Sequence, residues 1–461
     1  MMPPCKAGTV HWDRAGHASR SRGTGHAAQI DPGIGAGLVG RGRRRMRIHP
    51  SAAALTRERH VRGSGLKTNY DVAIIGGGAI GSAIAYFLSS DSSAQVRVVV
   101  IERDPSYARA SSALSASSIR QQFSTPENIR MSRFGIEFMR DIGRHLAVDD
   151  VSSAIVDIGL VEGGYLYLAT AGSEAVLRAN HAIQMGEGAS VILLGPAALA
   201  ARFPWLSLDD IALGSLGLSG EGWFDGYSLM QAFRRKARAL GTDYLAAEAV
   251  GIDVVGGRVT GVRLADGDKI ECGVIVNAAG PWARDVAAMA GVVLPVEARR
   301  RCVFVFNSRL PLPGCPLVID TSGIWFRPEG ESFICGTAPA EGDDRDDLPL
   351  TVDDREFDKR LWPALAARVP AFDSIRVRNA WAGYYEHHTF DQNAVIGQHP
   401  ELTNLLFAAG FSGHGIQHAP AVGRAIAELV THARYVSLDL SIFGYERIAA
   451  GRRVVERNVI G

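Results

Sequence analysis

Residues Tyr70–Leu88 read YDVAIIGGGAIGSAIAYFL. The first six residues form a short apolar, β-branched run of the kind that becomes a buried parallel strand. Gly76, Gly77, Gly78, Ala79, Ile80 and Gly81 follow, and Ser82–Leu88 continues as a helix with small residues on its inner face. This is a GxGxxG spacing at Gly76, Gly78 and Gly81, set between strand and helix. Gly76 permits the tight turn, Gly78 lets the backbone approach a pyrophosphate, and Gly81 lets helix and strand pack closely. The helix start, including Ala79 and Ile80, offers free N–H groups and a positive dipole end to phosphates. A second apolar strand, Val96–Ile101, ends in Glu102, 21 residues after Gly81. An acid at that place holds ribose hydroxyls. Strand, helix and acid together predict an α/β fold that binds a dinucleotide.

The chain has 461 residues, enough for two or three domains or one large two-part enzyme. Hydrophobic residues make up 47% and charged residues 21%, which excludes a disordered or fibrous protein. Glycine, at 52 residues, exceeds the usual roughly 7% without any collagen period, which points to tight turns and close backbone approach to a ligand. The net charge is +1, so no nucleic-acid partner is indicated. Residues 1–68 nevertheless hold eleven Arg and two Lys against three acids, a local +10 that leaves −9 on the body. This head, which has no clear hydrophobic periodicity, is read as a disordered basic extension, with a mitochondrial presequence as the competing reading. Localisation follows from it: mitochondrial if the head is a presequence, cytoplasmic if the protein is bacterial. Cys5, Cys272, Cys302, Cys315 and Cys335 are scattered and imply neither a disulfide framework nor a CxxC pair. No apolar run is long enough for a transmembrane segment.

Further motifs separate one dinucleotide from another. After Glu102 comes RDPSYARASSALSASS (Arg103–Ser118), a Ser/Ala stretch where a nicotinamide domain starts another compact βα unit. Strands are predicted around Ala249–Val255 and Arg258–Leu264, joined by a Gly256-Gly257 turn. VIVNAAGPW (Val274–Trp282) is an apolar strand ending in Ala-Ala-Gly. GFSGHG (Gly410–Gly415) follows the strand Leu405–Ala409 and opens a helix through Val430.

In order and spacing, GGGAIG, NAAGPW and GFSGHG resemble the FAD-dependent D-amino-acid oxidase/sarcosine oxidase/glycine oxidase (DAO) family, over about residues 69–447. IRQQFSTPENIRMS (Ile119–Ser132), EGWFDGYSL (Glu221–Leu229) and WAGYYEHHTFDQNAVIG (Trp381–Gly397) are similar to a subgroup associated with assembly of mitochondrial complex I, and to its bacterial relatives. The resemblance implies a Rossmann-like FAD-binding lobe interleaved with a mixed-sheet α+β substrate lobe. The FAD lobe would comprise 69–118, 216–294 and 391–435, and the substrate lobe 119–215 and 295–390. Residues 436–461 would be a tail packing on the body.

The resemblance also implies roles. The ADP half of FAD would lie on Gly76–Gly81 and Glu102, with Arg103 and the Ser111 and Ser112 hydroxyls near adenosine and pyrophosphate. Val250 would meet the adenine by its backbone, and Gly280, with Trp282 beside it, would pack on the ribityl chain. Gly413, His414, Gly415, Ile416 and Gln417 would face the isoalloxazine, where a helix start stabilises the reduced ring. Arg120 would clamp a substrate carboxylate, since a guanidinium fork matches one bidentately. Gln417 stands where sarcosine oxidases place a Lys, so the second carboxylate anchor lacks charge. Tyr384 and Tyr385 fall where the family has aromatic substrate-site residues; one core and one surface Tyr is the plainer reading. His414 is read as tuning the flavin or satisfying a turn, and His387 and His388 carry no ligand spacing for a metal.

Two departures shape the expectation. The segment Trp381–Phe390 contains no Cys, so FAD should be non-covalent. Glu329–Ala340 (EGESFICGTAPA) lacks the Lys that aids oxygen reaction in the oxidases, which leans toward a dehydrogenase. The implied chemistry is hydride transfer from the α-carbon of a small N-methyl, secondary or D-amino acid to flavin N5. The acceptor that follows is left open among oxygen, a quinone and an electron-transfer flavoprotein. A flavin-containing assembly factor for respiratory complex I is the alternative. The acidic run Glu341–Asp347 is expected to be a solvated loop.

Overall fold

The computed structural model describes residues 68–457, apart from 93–94, 149–155 and 341, together with His11–Trp12. The chain divides into a large unit, Lys67–Gly461 with Met1–Val10, and a second unit, His11–Leu66. In the second unit only the two-residue strand His11–Trp12 is described, so the readings of the basic head lie outside the described residues.

The YDVAII run becomes the strand Asn69–Ile75, and GGGAIG leads into the helix Ala79–Ser90. Val72, Ala73 and Ile74 are at most 1% exposed, which explains why this strand is apolar on both faces. Its parallel neighbours are Val98–Glu102 (Ile75 opposite Ile101) and Lys269–Asn277 (Val276 opposite Ile74). Asp243–Ala246 and Leu405–Ala409 extend the parallel core on either side, and Val395–Gln398 closes one edge antiparallel. The predicted hairpin forms between Ala249–Val255 and Arg258–Leu264. Gly256 and Gly257 take φ of 57° and 74°, the left-handed pair that a two-residue turn needs. Helix Gly415–His432 packs on Ala79–Ser90 so closely that a Cβ on Gly423 would lie 2.8 Å from Ala83.

A second sheet runs Arg376–His388, Val296–Asn307, Ser332–Thr337, Ile324–Glu329, Leu317–Ile319, Tyr165–Ala169, Leu213–Gly217, Val191–Leu194. Only the contact of Leu317–Ile319 with Tyr165–Ala169 is parallel among these. One face carries an aromatic core that includes Phe304, Phe306, Phe326, Phe357 and Phe372. The fold is therefore α/β, with a parallel sheet drawn from three stretches of chain and a mixed sheet drawn from the stretches between them. Strand Leu213–Gly217 lies in the second sheet and runs past the predicted break at 215.

The described part of the acidic run is a loop with Asp343 and Asp347 exposed, while Asp344 and Asp346 are half-buried and paired. Asp344 grips Arg301 through both oxygens (2.7 and 3.0 Å), and Asp346 pairs with Arg284 at 2.7 Å and accepts the Ala298 N–H. Arg301 on the strand Val296–Asn307 and Arg284 on the short helix Ala283–Ala288 supply the opposite charges.

Candidate active site

The three glycine clusters converge on two adjoining cavities of about 410 and 210 Å³. At the first, the glycines do what their spacing predicts. A Cβ on Gly81 would lie 1.9 Å from the Gly76 carbonyl oxygen, and one on Gly76 (φ 103°) would lie 2.4 Å from that of Ala278. A Cβ on Gly78 would meet only Ser112 Oγ, at 3.3 Å, so the protein itself does not require glycine there. The bareness of Gly78 serves something that enters the cavity. Glu102 accepts the N–H groups of Gly77 and Asp104, both at 2.8 Å, which fixes its carboxyl at the cavity wall. Burial pushes that carboxyl upward from its usual range, and the two N–H groups oppose the rise. Ser112 Oγ accepts the Ala79 N–H at 3.0 Å, whereas the buried Ser111 Oγ has no partner. An orphaned hydroxyl, a helix start and a bare Gly78 form a cradle with the chemistry to take a pyrophosphate. Arg103 lies 3.9 Å over the Trp282 ring at the rim.

The second cavity begins where the first ends, sharing Ala79, Ile80, Ser111, Ser112 and Glu386. Arg120 lines it, yet its side chain is only 7% exposed. Among the described residues no carboxylate forms an ion pair with it. Its Nη2 lies 2.9 Å from His414 Nε2, its backbone N–H donates to Gln417 Oε1 at 2.8 Å, and its Nε has no partner. Arginine only donates, so His414 Nε2 accepts and the ring proton sits on Nδ1. Burial, and then the Arg120 charge, hold His414 far below its usual range and therefore neutral. His418 is pushed down to about 3 by burial and Arg120 in the same way. Tyr385 donates its hydroxyl to the Ser412 carbonyl at 2.5 Å, and Arg301 lies 4.7 Å over its ring. Gly413 (φ 87°) leaves the room this ring needs, because a Cβ there would lie 2.5 Å from it. A buried cation with a free N–H and no ion-paired acid, Glu456 and Glu221 acting on it only through space, is a site for an anionic group of a ligand.

Comparison with known proteins decides the family. The model for FAD dependent oxidoreductases (DAO) matches residues 71–429. This chain belongs to the DAO family of FAD-dependent oxidoreductases. The DAO-family chain is 43% identical over 424 residues to FAD-dependent oxidoreductase domain-containing protein 1 of Xenopus laevis, covering 85% of each. It is 28% identical over 391 residues to glycine oxidase of Geobacillus kaustophilus (strain HTA426), covering 82% of this chain and 97% of the relative. Its fold is similar to that of L-proline dehydrogenase from P. horikoshii (TM-score 0.74, 26% identity), covering 84% of this chain and all of that one.

In this DAO-family chain the two cavities bring together most of the residues singled out from sequence. Gly76, Gly78, Ala79, Ile80, Glu102, Arg103, Ser111, Ser112, Gly280 and Trp282 line the first. Arg120, Tyr384, Tyr385, Gly413, His414, Gly415 and Ile416 line the second. Gly81 and Gln417 stand behind the wall, each held by backbone atoms of wall residues. The Val250 side chain is 51% exposed, and Ala247, Glu248 and Ala249 line the cavity before it. The strand is irregular between Ala249 and Gly251, and the contact expected of Val250 is one of its backbone. Both adjacent tyrosines line the cavity system, so the plainer reading of one core and one surface residue does not hold. Tyr384 meets Trp282 edge-on at 5.7 Å and accepts from Arg109 at 3.4 Å. His387 and His388 form no metal group, and among the described residues no cluster of three or more His, Cys, Asp or Glu is placed to hold one. Among the described residues no helix is long and apolar enough to cross a membrane.

Sequence reasoning passed over several residues. Tyr165, Arg301 and Cys302 line the second cavity from strands that carry no motif, and Arg109 lines the first. Glu221 supports Arg120 from behind, accepting the Gln121 N–H (2.5 Å) and Gln122 Nε2 (2.8 Å). Glu386 sits between Tyr385 and His387 and lines both cavities. Its signal was present, an acid inside an otherwise aromatic and imidazole-rich strand.

Proposed function

We propose that this chain oxidises the C–N bond of a small amino acid, with a secondary, N-methyl or D-configured amine. One observation carries the reading: Arg120 is buried without an acid partner and lines a cavity that continues from the cofactor cradle. Glycine oxidase and L-proline dehydrogenase, the similar proteins, are named for small amino acids, which supports the same class.

Bound FAD supplies the hydride acceptor. Gly76, Gly78, Gly81, Glu102, Ser111 and Ser112 would hold its adenosine and pyrophosphate without a covalent link, and Gly280, Gly413, Gly415 and Ile416 its flavin half. Arg120 presents its fork to the substrate carboxylate and so fixes the α-carbon. His414, kept neutral, accepts one Arg120 N–H and aims the guanidinium without adding charge. Gln417 pins the Arg120 backbone. Tyr384 and Tyr385 close the side of the cavity and keep it dry. Around a buried cation the substrate amine favours its neutral form. The neutral nitrogen then pushes its lone pair into the new C=N bond as hydride leaves the α-carbon. Water adds to the resulting iminium after release.

The test is anaerobic visible absorbance of the purified holoprotein during addition of N-methyl, cyclic and D-amino acids. Bleaching by one of them, abolished in Arg120→Ala with the oxidised flavin spectrum intact, is the expected result. Readmitting air then separates oxidase from dehydrogenase. A flavin that every member of the panel leaves oxidised would overturn the reading and favour a role in assembly.

A further inference from the structure

Glu386 has surroundings unlike those of any other acid near the cavities. Among the described residues it is the one carboxyl that lines both, and so it stands at their junction. Its Oε2 accepts the Gly410 N–H at 3.2 Å. Its Oε1 lies 3.1 Å from where a Cβ on Gly415 would stand, beside the start of the helix Gly415–His432. Its Oε2 lies 3.8 Å from the corresponding point on Gly280. Among the described residues it forms no ion pair. The structure thus places an acid without a cation between the two glycines expected along the flavin half of FAD.

The neighbouring charges leave it so. Tyr384 and His388 share its face of the strand, Tyr385 and His387 the other face. Ala298 is its cross-strand partner, with Arg300 opposite Tyr384. Arg300 is engaged by Pro349 and Thr351. The loop Gly410–Gly415 adds only His414, which faces Arg120. Across the first cavity stand Glu102, Arg103, Asp104, Tyr107, Arg109 and Glu248; Arg103 and Arg109 rest on Trp282, and Arg103 also pairs with Glu248. Across the second stand Arg120 and Arg301, the latter bound to Asp344.

We propose that Glu386 is the proton-carrying group of the cofactor site: its carboxyl, set where the two cavities meet, takes up a proton as the bound flavin is reduced. Two electrons put negative charge on the flavin, and a like charge nearby favours the neutral acid. The Gly410 and Phe411 N–H groups, with no cation paired to the carboxylate, are too little to hold it against that charge. Burial already raises the Glu386 carboxyl to about 7, with the Gly410 and Phe411 N–H groups opposing the rise, so the exchange falls within the working pH range. The proton comes from solvent and stays on Glu386 until the flavin is reoxidised. Glu386 then limits the net charge of the site, while the helix start stabilises what remains. The proposal rests on the FAD cofactor and not on the amine chemistry, so the two fail separately.

The test is redox titration of the holoprotein with a chemical reductant across pH 6–9, comparing wild type with Glu386→Gln. The amide keeps an acceptor for Gly410 but cannot titrate. The wild-type potential should fall more steeply with pH near neutrality than that of Glu386→Gln, and the variant should hold the higher potential above pH 8. Parallel pH profiles would overturn the proposal. If Glu386→Gln fails to hold FAD, wild-type calorimetry replaces it. Filling the cavity desolvates the carboxyl further, so FAD binding to apoprotein at pH 7.5 should take up part of a proton, read from buffers of different ionisation enthalpy. Absence of uptake would overturn it equally.

Discussion

At the adenosine end of the cavity system, the hydrogen bonds that shape the glycine turn come from one stretch of chain: the Gly77 N–H finds Glu102 across 25 residues, and Ala79 finds Ser112 across 33. At the other end Arg120 meets His414 across 294 residues and Gln417 across 297. The first end works through backbone shape and the absence of side chains. The second works through a buried charge whose neighbours arrive from remote strands and loops. Local spacing can encode the first arrangement, whereas only the docking of the two sheets can produce the second.

The sharpest way to break this contrast is Gly81→Val. Its Cβ would meet the Gly76 carbonyl oxygen at 1.9 Å, and backbone there has nowhere to move. FAD content of the purified protein, read from the flavin-to-protein absorbance ratio, should fall below about a tenth of wild type. Normal FAD content would show that the loop does not depend on close packing.

Arg120→Ala should do the reverse, leaving FAD in place while removing affinity for carboxylate ligands. Loss of a buried, hydrogen-bonded charge costs about 2–5 kcal/mol, or at least about 30-fold in the dissociation constant. Flavin absorbance changes on adding small carboxylates would measure it. Arg120→Lys should not restore the affinity, because a point charge cannot both reach His414 Nε2 and present a fork.

Glu221 sharpens the comparison through pH. Burial raises its carboxyl to about 7, opposed by the hydrogen bonds from Gln122 and Gln121. Its unfolded value is near 4.3. The folded value is the higher, so the stability this group contributes is fully present below the unfolded value and fades as pH rises through about 7. Between pH 5 and 8 the urea midpoint of wild type should therefore decline more than that of Glu221→Gln. Equal declines would separate Glu221 from the support of Arg120.

The smallest effect belongs to Trp282→Ala. Arg103 rests 3.9 Å over that ring at the mouth of the first cavity. A half-exposed cation–π contact contributes about 0.5–1 kcal/mol. FAD binding to apoprotein, followed by flavin fluorescence, should weaken about two- to fivefold.

Much of the cofactor end was legible in the sequence because each residue's reason is local. Glycines at 76, 78 and 81 answer to turn, ligand and packing, and Glu102 to the end of the next strand. The Gly256-Gly257 turn was legible on the same ground. Ala247, Glu248 and Ala249 escaped because which residues of a strand face a cavity depends on its register, and a shift of one residue reverses it. The pairing of Asp344 and Asp346 escaped because their partners, Arg301 and Arg284, lie on elements that sequence cannot place beside the loop. The C-terminal tail conceals more than packing. Glu456 accepts from Ser124, Thr125 and Asn128, and Arg447 pairs with buried Asp391. No spacing rule joins residues so far apart.

By itself the sequence determined a strand, a glycine turn and a helix with an acid at the end of the next strand, a combination whose local sterics and free N–H groups suit a dinucleotide. It also carried Arg120 as a candidate, from the family's motif. Only the tertiary structure decided that Arg120 would be buried without an acid, that His414 would be its neutral partner, and that Glu386 would stand at the cavity junction. Charge and solvation at a point depend on every group that surrounds it, and those groups are assembled only when the two sheets meet.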